Sequence, residues 1–134
     1  MIRITLTGTL LLAACATTGD SARAPDPDAV PYIEAAATGE PQSCLIRSSD
    51  IRSTEGLSRQ FMLFRMRGGD LYRAEFNNSC PGSARDEAFS RTSTIGSFCK
   101  HEILNFFDPV SNAPLGSCTI KEFVPIEDPK KTDG

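Results

Sequence analysis

Alternation of apolar and polar residues is clearest in two neighbouring segments near the middle of the chain. Residues 60–67 read QFMLFRMR and residues 71–77 read LYRAEFN. In the second segment three apolar residues alternate with two charged ones, which is typical of a half-buried strand. The run Gly68-Gly69-Asp70 between the segments is a strong signal for a tight turn. The pattern therefore predicts a β-hairpin over residues 60–77.

The length of the turn decides which side chains of this hairpin oppose each other. A three-residue loop produces an apolar inner face, which pairs Met62, Phe64 and Met66 with Phe76, Ala74 and Tyr72. In a two-residue loop, Phe76, Ala74 and Tyr72 would instead lie opposite Phe61, Leu63 and Arg65. We favour the three-residue loop because its inner face carries no charge. In that register Arg65, Arg67 and Arg73 cluster on the outer side of the hairpin.

Further strand signals lie on both sides of the hairpin, separated by turn residues. These segments are residues 43–47, 88–94, 98–107 and 117–126. The sequence shows no convincing amphipathic helix, and all eight Phe lie between Phe61 and Phe123. About six short strands separated by turns predict an all-β domain over residues 42–126, a small antiparallel barrel or sandwich.

The start of the sequence has the pattern of an export signal. After Arg3, residues 4–14 form an apolar run that is too short to span a bilayer and fits a secretory signal. Leu12-Ala13-Ala14-Cys15 resembles a bacterial lipobox. This resemblance implies that residues 1–14 are a lipoprotein signal peptide, cleaved before a Cys15 that carries a diacylglyceryl thioether and an acylated N-terminus.

Two other interpretations of this segment remain open. Ala14-Cys15-Ala16 also fits ordinary signal peptidase, although cleavage after Ala16 would leave an unusually short signal. The run could instead be a buried strand or helix, which the abrupt change to Thr-Gly-Asp argues against. In bacterial lipoproteins, an Asp directly after the lipidated Cys resembles a signal for retention in the inner membrane. This sequence has Ala16 at that position and so lacks the retention signal. We therefore expect anchoring of the protein in the outer membrane of a Gram-negative cell, where two or more acyl chains bind durably.

The segments that flank the predicted β-domain are polar and contain proline. Residues 15–41 comprise the lipidated cysteine and a predicted flexible tether rich in Ala, Thr, Pro and Asp. A short helical turn near residues 32–37, with Tyr32 and Ile33 docked on the domain, is an alternative within it. The charged end, residues 127–134, is predicted to be a disordered tail.

The number of cysteines is odd, which is unusual for an exported protein. Lipidation would use Cys15 and leave four cysteines within the predicted domain, namely Cys44, Cys80, Cys99 and Cys118. An oxidising cell envelope favours disulfides among them, with three possible connectivities. We favour Cys44–Cys118, which joins the first core strand to the last, together with Cys80–Cys99.

A metal site is the rival interpretation of the same cysteines. Cys99 and His101 would face the same side of a strand, and Cys80 and Cys118 would complete a Cys₃His ligand set. However, the sequence lacks the C-x₂-C spacing that structural zinc sites usually carry. We therefore expect no bound metal and no cofactor.

Charge and residue types exclude several functions. Residues 42–126 hold ten basic and nine acidic side chains, which is not the clustered positive charge that nucleic-acid binding needs. His101 is the only histidine, so any Ser–His or Cys–His catalytic scheme must use it. We interpret it as a surface residue and predict no catalytic residues. One candidate binding patch remains, formed by Arg65, Arg67 and Arg73, which could bind acidic lipid headgroups or an acidic envelope protein. The alternative interpretation is that these arginines form an ordinary solubilising surface.

The region from Cys44 to Ile126 resembles a proteobacterial envelope family catalogued as domain-of-unknown-function family 6491. The resemblance lies in SCLIRSSDIRS, MRGGDLYRAEFNNSCPG, the Phe98-Cys99 strand and GSCTIKEFVPI, which contain all four core cysteines. The family commonly has an aspartate shortly after the third cysteine, where Glu102 stands here. The resemblance implies a small exported domain, and it implies no activity.

The sequence thus predicts an outer-membrane lipoprotein that faces the periplasm and has a non-catalytic binding or structural role. Its expected partners are the membrane, through the lipid on Cys15, and an envelope protein. The alternative is an envelope enzyme or metal-binding protein centred on His101.

Overall fold

The structure is a computed structural model that describes residues 25–45, 47–85, 87–93 and 96–131. Its two short helices are α1, Val30–Glu34, and α2, Pro81–Ala84. The strands are β1 Cys44–Leu45, β2 Ile51–Gly56, β3 Phe61–Met66, β4 Leu71–Phe76, β5 Ala88–Arg91, β6 Phe98–Cys99, β7 Ile103–Phe107 and β8 Pro114–Ile126. Among the described residues, no helix is long and apolar enough to cross a membrane.

Six of the strands form one curled antiparallel sheet, in the order β2-β3-β4-β8-β7-β5. The remaining strands, β1 and β6, form a separate antiparallel pair. The long strand β8 is central to the sheet because it pairs with β4 along one part of its length and with β7 along another. This arrangement confirms the predicted all-β antiparallel fold class.

The main core lies on the inner face of the curled sheet. Its buried residues are Leu45, Met62, Phe64, Ala74, Phe76, Cys80, Phe98, Leu104, Phe106, Cys118, Ile120 and Phe123. Phe64 is at its centre and packs edge-to-face on Phe98 and Phe123, with ring centroids 5.3 and 5.4 Å away. Such aromatic pairs add to the stabilisation from apolar burial, which is about 2 kcal/mol for each Phe.

The β3–β4 hairpin has a three-residue loop, but the loop is Arg67-Gly68-Gly69 and not Gly68-Gly69-Asp70. The amide of Met66 donates to the Asp70 carbonyl at 2.9 Å, and Gly69 has a φ of 94°. A turn followed by a left-handed glycine is a common three-residue hairpin loop. The predicted apolar residues therefore share a face, but the predicted partners are wrong, since Phe64 opposes Tyr72.

Three further differences from the predicted strands have local causes. The predicted strand over residues 98–107 is divided into β6 and β7 by a turn at Lys100–Glu102. Strand β8 begins at Pro114, before the predicted start, because it continues as the partner of β7. Strand β2 was not predicted; it is a polar strand at the sheet edge, where pairing with β3 alone needs no apolar alternation.

A second apolar cluster lies between the sheet and the segment that precedes β1. Its buried residues are Ala29, Tyr32, Leu57, Leu63, Leu71 and Ile126. We call residues 29–42 the N-terminal strap, because they continue from α1 along β8, with bridges from Ala37 to Ile126 and from Gln42 to Phe123. The strap therefore agrees with the alternative of a short helical turn with Tyr32 and Ile33 docked on the domain, and not with a flexible tether up to residue 41.

The beginning of the predicted disordered tail is also in contact with the domain. The amide of Glu127 donates to the carbonyl of Ala36 at 3.2 Å, and that of Lys131 donates to the carbonyl of Asp128 at 3.0 Å. The strap and residues 127–131 thus belong to the same side of the molecule.

Candidate functional site

Arg73 of the predicted arginine patch binds the backbone of the strap. Its Nη1 lies 2.6 Å from the carbonyl oxygen of Ile33, 3.0 Å from that of Ala35 and 3.2 Å from that of Tyr32. The guanidinium also lies over the ring of Phe61, 5.4 Å from its centroid. These carbonyls belong to the C-terminal end of α1, where a positive charge is favourable.

Arg65 lies on the same face as Arg73, and it also contacts other residues of this chain. It donates to Glu55 at 3.0 Å and lies 5.0 Å from the centroid of the Tyr32 ring. Arg67, by contrast, lies in the β3–β4 turn with an exposed side chain. The predicted patch is therefore not one open basic surface, because the strap covers two of its three arginines.

The four described cysteines form two disulfides, but the predicted pairing is wrong. The bonds are Cys44–Cys99 and Cys80–Cys118. Cys44 and Cys99 are directly opposite in the β1–β6 pair. Cys80 follows β4, and Cys118 lies in β8, the strand that pairs with β4. The pairing thus follows spatial strand neighbours, whereas the prediction joined the first core strand to the last. Cys15 lies outside the described residues.

His101 is exposed in the turn between β6 and β7. Its φ is 67°, and its amide donates to the carbonyl of Ile120 at 2.7 Å. It is therefore not the strand neighbour of Cys99 that the metal interpretation required, and the three candidate cysteine ligands are all in disulfides. Within the described residues no three His, Cys, Asp or Glu side chains are grouped to hold a metal ion.

Glu102, next in the chain, is the buried charged group of this region. Its carboxylate accepts the amide of Cys99 at 3.2 Å and Nη1 of Arg91 at 3.3 Å. Only 4% of its side chain is exposed, against 21% for Arg91. Arg91 also donates to the carbonyl of Ser97 at 2.8 Å and lies 4.4 Å from the centroid of the Phe98 ring.

This network fixes the turn that carries Cys99 and His101. An open cleft of about 320 Å³ lies beside it, lined by residues that include Thr92, Ser97, Cys99, His101 and Ile103. Sequence reasoning overlooked Glu102 and Arg91 as a pair. The available signal was a carboxylate directly before the apolar pair Ile103-Leu104, with an arginine on a neighbouring strand signal.

The fold and the site geometry were compared with known proteins. No family model, curated protein or solved structure matches this chain. The similarity to domain-of-unknown-function family 6491 therefore stays a prediction from the quoted residues. The chain is an all-β protein with a curled six-stranded antiparallel sheet and two disulfides.

Proposed function

We propose that the protein is an outer-membrane lipoprotein, anchored through Cys15 and facing the periplasm, whose β-domain has a non-catalytic binding or structural role. One observation carries the proposal. Four of the five cysteines are paired in disulfides, and the fifth is the cysteine of the lipobox-like run Leu12-Ala13-Ala14-Cys15. Lipidation accounts for that odd cysteine and disulfides suit an oxidising envelope.

The strap adds a geometric consequence to this proposal. Ala29 is the first buried residue among the described residues. In this proposal, residues 16–28 would connect the lipid to that residue. Fully extended, such a segment spans at most about 45 Å. The lipid would thus hold the domain within about 45 Å of the membrane surface, close enough to contact an envelope protein partner.

The alternative centred on His101 has less support. His101 lies in an exposed turn, and the cysteines that would complete a metal site with it are in disulfides. The buried carboxylate beside it, Glu102, is hydrogen-bonded to Arg91 and to a backbone amide. That arrangement is typical of a structural ion pair in which both charges are compensated.

The intact mass of protein extracted from membranes and alkylated without reduction tests the anchor. We expect the mass of a chain that starts at a triacylated Cys15 and carries no alkyl groups. A lipid-free chain starting after Ala16 would refute the anchor, and alkylated core cysteines would refute the disulfides.

Two variants separate anchoring from sorting. Cys15→Ala is expected to release the domain from the membrane fraction, while the control Thr17→Ala stays membrane-bound. Ala16→Asp is expected to move the lipidated protein from the outer to the inner membrane. An unchanged outer-membrane location of that variant would contradict the sorting proposal.

The binding role is tested by mild in-cell crosslinking followed by affinity capture of the wild type and of Cys15→Ala. A partner that is recovered reproducibly with the anchored protein supports the role. Absence of any reproducible partner across crosslinking conditions counts against it.

A further inference from the structure

The two disulfides differ in their surroundings. Cys80 and Cys118 are 0% and 1% exposed and belong to the main core. Cys44 and Cys99 are both partly exposed, and Cys99 lines the cleft beside His101. Because thiol–disulfide exchange requires an attacking thiolate to reach a sulfur atom, the two bonds differ in reactivity.

The Cys44–Cys99 bond also joins the shortest pair of strands among the described residues. Strands β1 and β6 contain two residues each, and their Cα partners are Cys44 with Cys99 and Leu45 with Phe98. Around this pair the backbone is held by hydrogen bonds from Lys100 to Ser43 and from Ser48 to Gly96, both 2.7 Å. Opening this disulfide therefore disturbs a local unit and leaves the six-stranded sheet paired.

One sulfur of this bond has a hydrogen-bond donor. The hydroxyl of Ser97 lies 3.6 Å from Sγ of Cys99. A disulfide sulfur carries no proton, so the hydroxyl is the donor. The same contact stabilises negative charge on Cys99 once the bond opens.

From this geometry we propose that Cys44–Cys99 is a thiol–disulfide exchange site, opened by an external dithiol while Cys80–Cys118 stays intact. The proposal concerns the folded domain and does not depend on the lipid anchor. The first thiolate of the dithiol attacks Sγ of Cys44 and forms a mixed disulfide with it. The S–S bond to Cys99 breaks, and its electron pair leaves on Cys99.

The second thiol of the dithiol completes the exchange. As a thiolate it attacks the sulfur of its own molecule in the mixed disulfide, and Cys44 leaves as a thiolate. The dithiol is thereby oxidised to its cyclic disulfide. The protein cystine gains two electrons, and the two protons of the dithiol end on Cys44 and Cys99. Exchange removes the covalent link between β1 and β6 beside the cleft that His101 lines.

Timed reduction of the native full chain with dithiothreitol, followed by alkylation and peptide mass mapping, tests the site. We expect Cys44 and Cys99 to be labelled together, about tenfold faster than Cys80 and Cys118. In denaturant this difference should disappear, because both bonds are then exposed. Equal labelling of the two pairs in native buffer, or earlier labelling of Cys80 and Cys118, would overturn the proposal.

A monothiol and one variant test the direction of attack. Glutathione is expected to give a mixed disulfide on Cys44, and an adduct on Cys99 would refute Cys99 as the leaving group. Ser97→Ala is expected to slow reduction by dithiothreitol about fivefold, as lost hydrogen bonding to the leaving thiolate implies. The control Ser90→Ala, an exposed serine of β5, should keep the wild-type rate. An unchanged rate in Ser97→Ala would contradict the assignment of Ser97 as the hydrogen-bond donor. The glutathione experiment is done on the wild type, so it does not depend on the folding of a variant.

Discussion

The guanidinium of Arg73 lies 2.6 Å from the carbonyl oxygen of Ile33, a residue 40 positions earlier in the chain. This contact joins the outer face of β4 to the C-terminal end of α1. The last carbonyls of a helix have no partner within the helix, and a cation is favourable there. Arg73 therefore satisfies polar groups of the strap while Tyr32 and its neighbours bury apolar surface beside it.

Replacement of Arg73 by Ala should loosen the strap. The variant loses a charged donor to three backbone carbonyls, and we expect unfolding free energy to fall by about 2 kcal/mol. Urea denaturation measures this change. The control Arg67→Ala removes an exposed arginine of the same hairpin and should change stability by less than about 0.5 kcal/mol.

Hydrogen exchange shows whether the loss is local to the strap. Arg73→Ala should increase exchange of the amides of Thr38 and Gln42, which donate to the carbonyls of Pro125 and Phe123. Uniform destabilisation with no extra exchange in the strap would mean that Arg73 does not hold it.

A methyl group at position 82 should disturb the main core. Gly82 is in α2, and a Cβ atom built on it would overlap the side chain of Phe106 at its Cβ and ring. Because Phe106 is buried, relief requires movement of core atoms. We expect Gly82→Ala to cost about 2 kcal/mol. Gly96→Ala is the matched control, since nothing lies within 4 Å of a Cβ there. Equal melting temperatures of the two variants would refute this packing.

The Glu102 carboxylate should be required to hold the turn that contains His101. Glu102→Gln keeps the shape of the side chain but leaves Arg91 facing a neutral group. Loss of one partner of a largely buried ion pair is expected to cost about 3 kcal/mol. Thermal unfolding measures the loss, and Glu127→Gln, at an exposed position, should behave as wild type. A neutral effect of Glu102→Gln would show that the pair contributes nothing to stability.

The turn between β7 and β8 should show a pH-dependent contribution from Asp108. The amides of Val110 and Ser111 donate to its carboxylate at 2.7 and 3.1 Å and lower the pKa of that group below its usual value. A folded-state pKa below the unfolded one means that the stabilisation is present above the unfolded pKa. It is lost as pH falls through the folded pKa. Carboxyl NMR titration of Asp108 measures the pKa directly.

Comparison with Asp108→Asn identifies the source of that pH dependence. The variant should be less sensitive to acid between the two pKa values, because its amide oxygen accepts the same amides without titrating. Asp70→Asn, at an exposed residue that follows the β3–β4 loop, serves as the control. A wild-type pH dependence in Asp108→Asn would place the effect in another group.

Local signals in the sequence determined the elements whose side chains alternate strongly. Residues 61–66 and 71–76 form the predicted hairpin, and Met62, Phe64 and Ala74 lie on its inner face as expected. Alternation has a period of two, so it specifies the face of each side chain and leaves a register shift of two residues open. The uncharged inner face favoured a loop of three residues over one of two, without locating it.

The presence of two disulfides was predicted from the even number of core cysteines, but their connectivity was not. Pairing depends on which strands are neighbours in space, and β1 lies beside β6 while β4 lies beside β8. The cysteines of the first disulfide are separated by 55 positions in the sequence, and those of the second by 38. No pattern within a short window of sequence contains that information.

The N-terminal strap and the Glu102–Arg91 pair were likewise decided by tertiary structure. The strap is rich in small and polar residues, and its packing depends on Tyr32 meeting the outer face of β3 and β4. Glu102 is stable in a buried position only because Arg91 comes from another strand. The sequence by itself determined the strand faces, the all-β class and the participation of four cysteines in disulfides, because these follow from local periodicity and residue chemistry. Register, disulfide pairing, the covered arginines and the buried ion pair were decided only when distant segments packed together, because each depends on a partner that is remote along the chain.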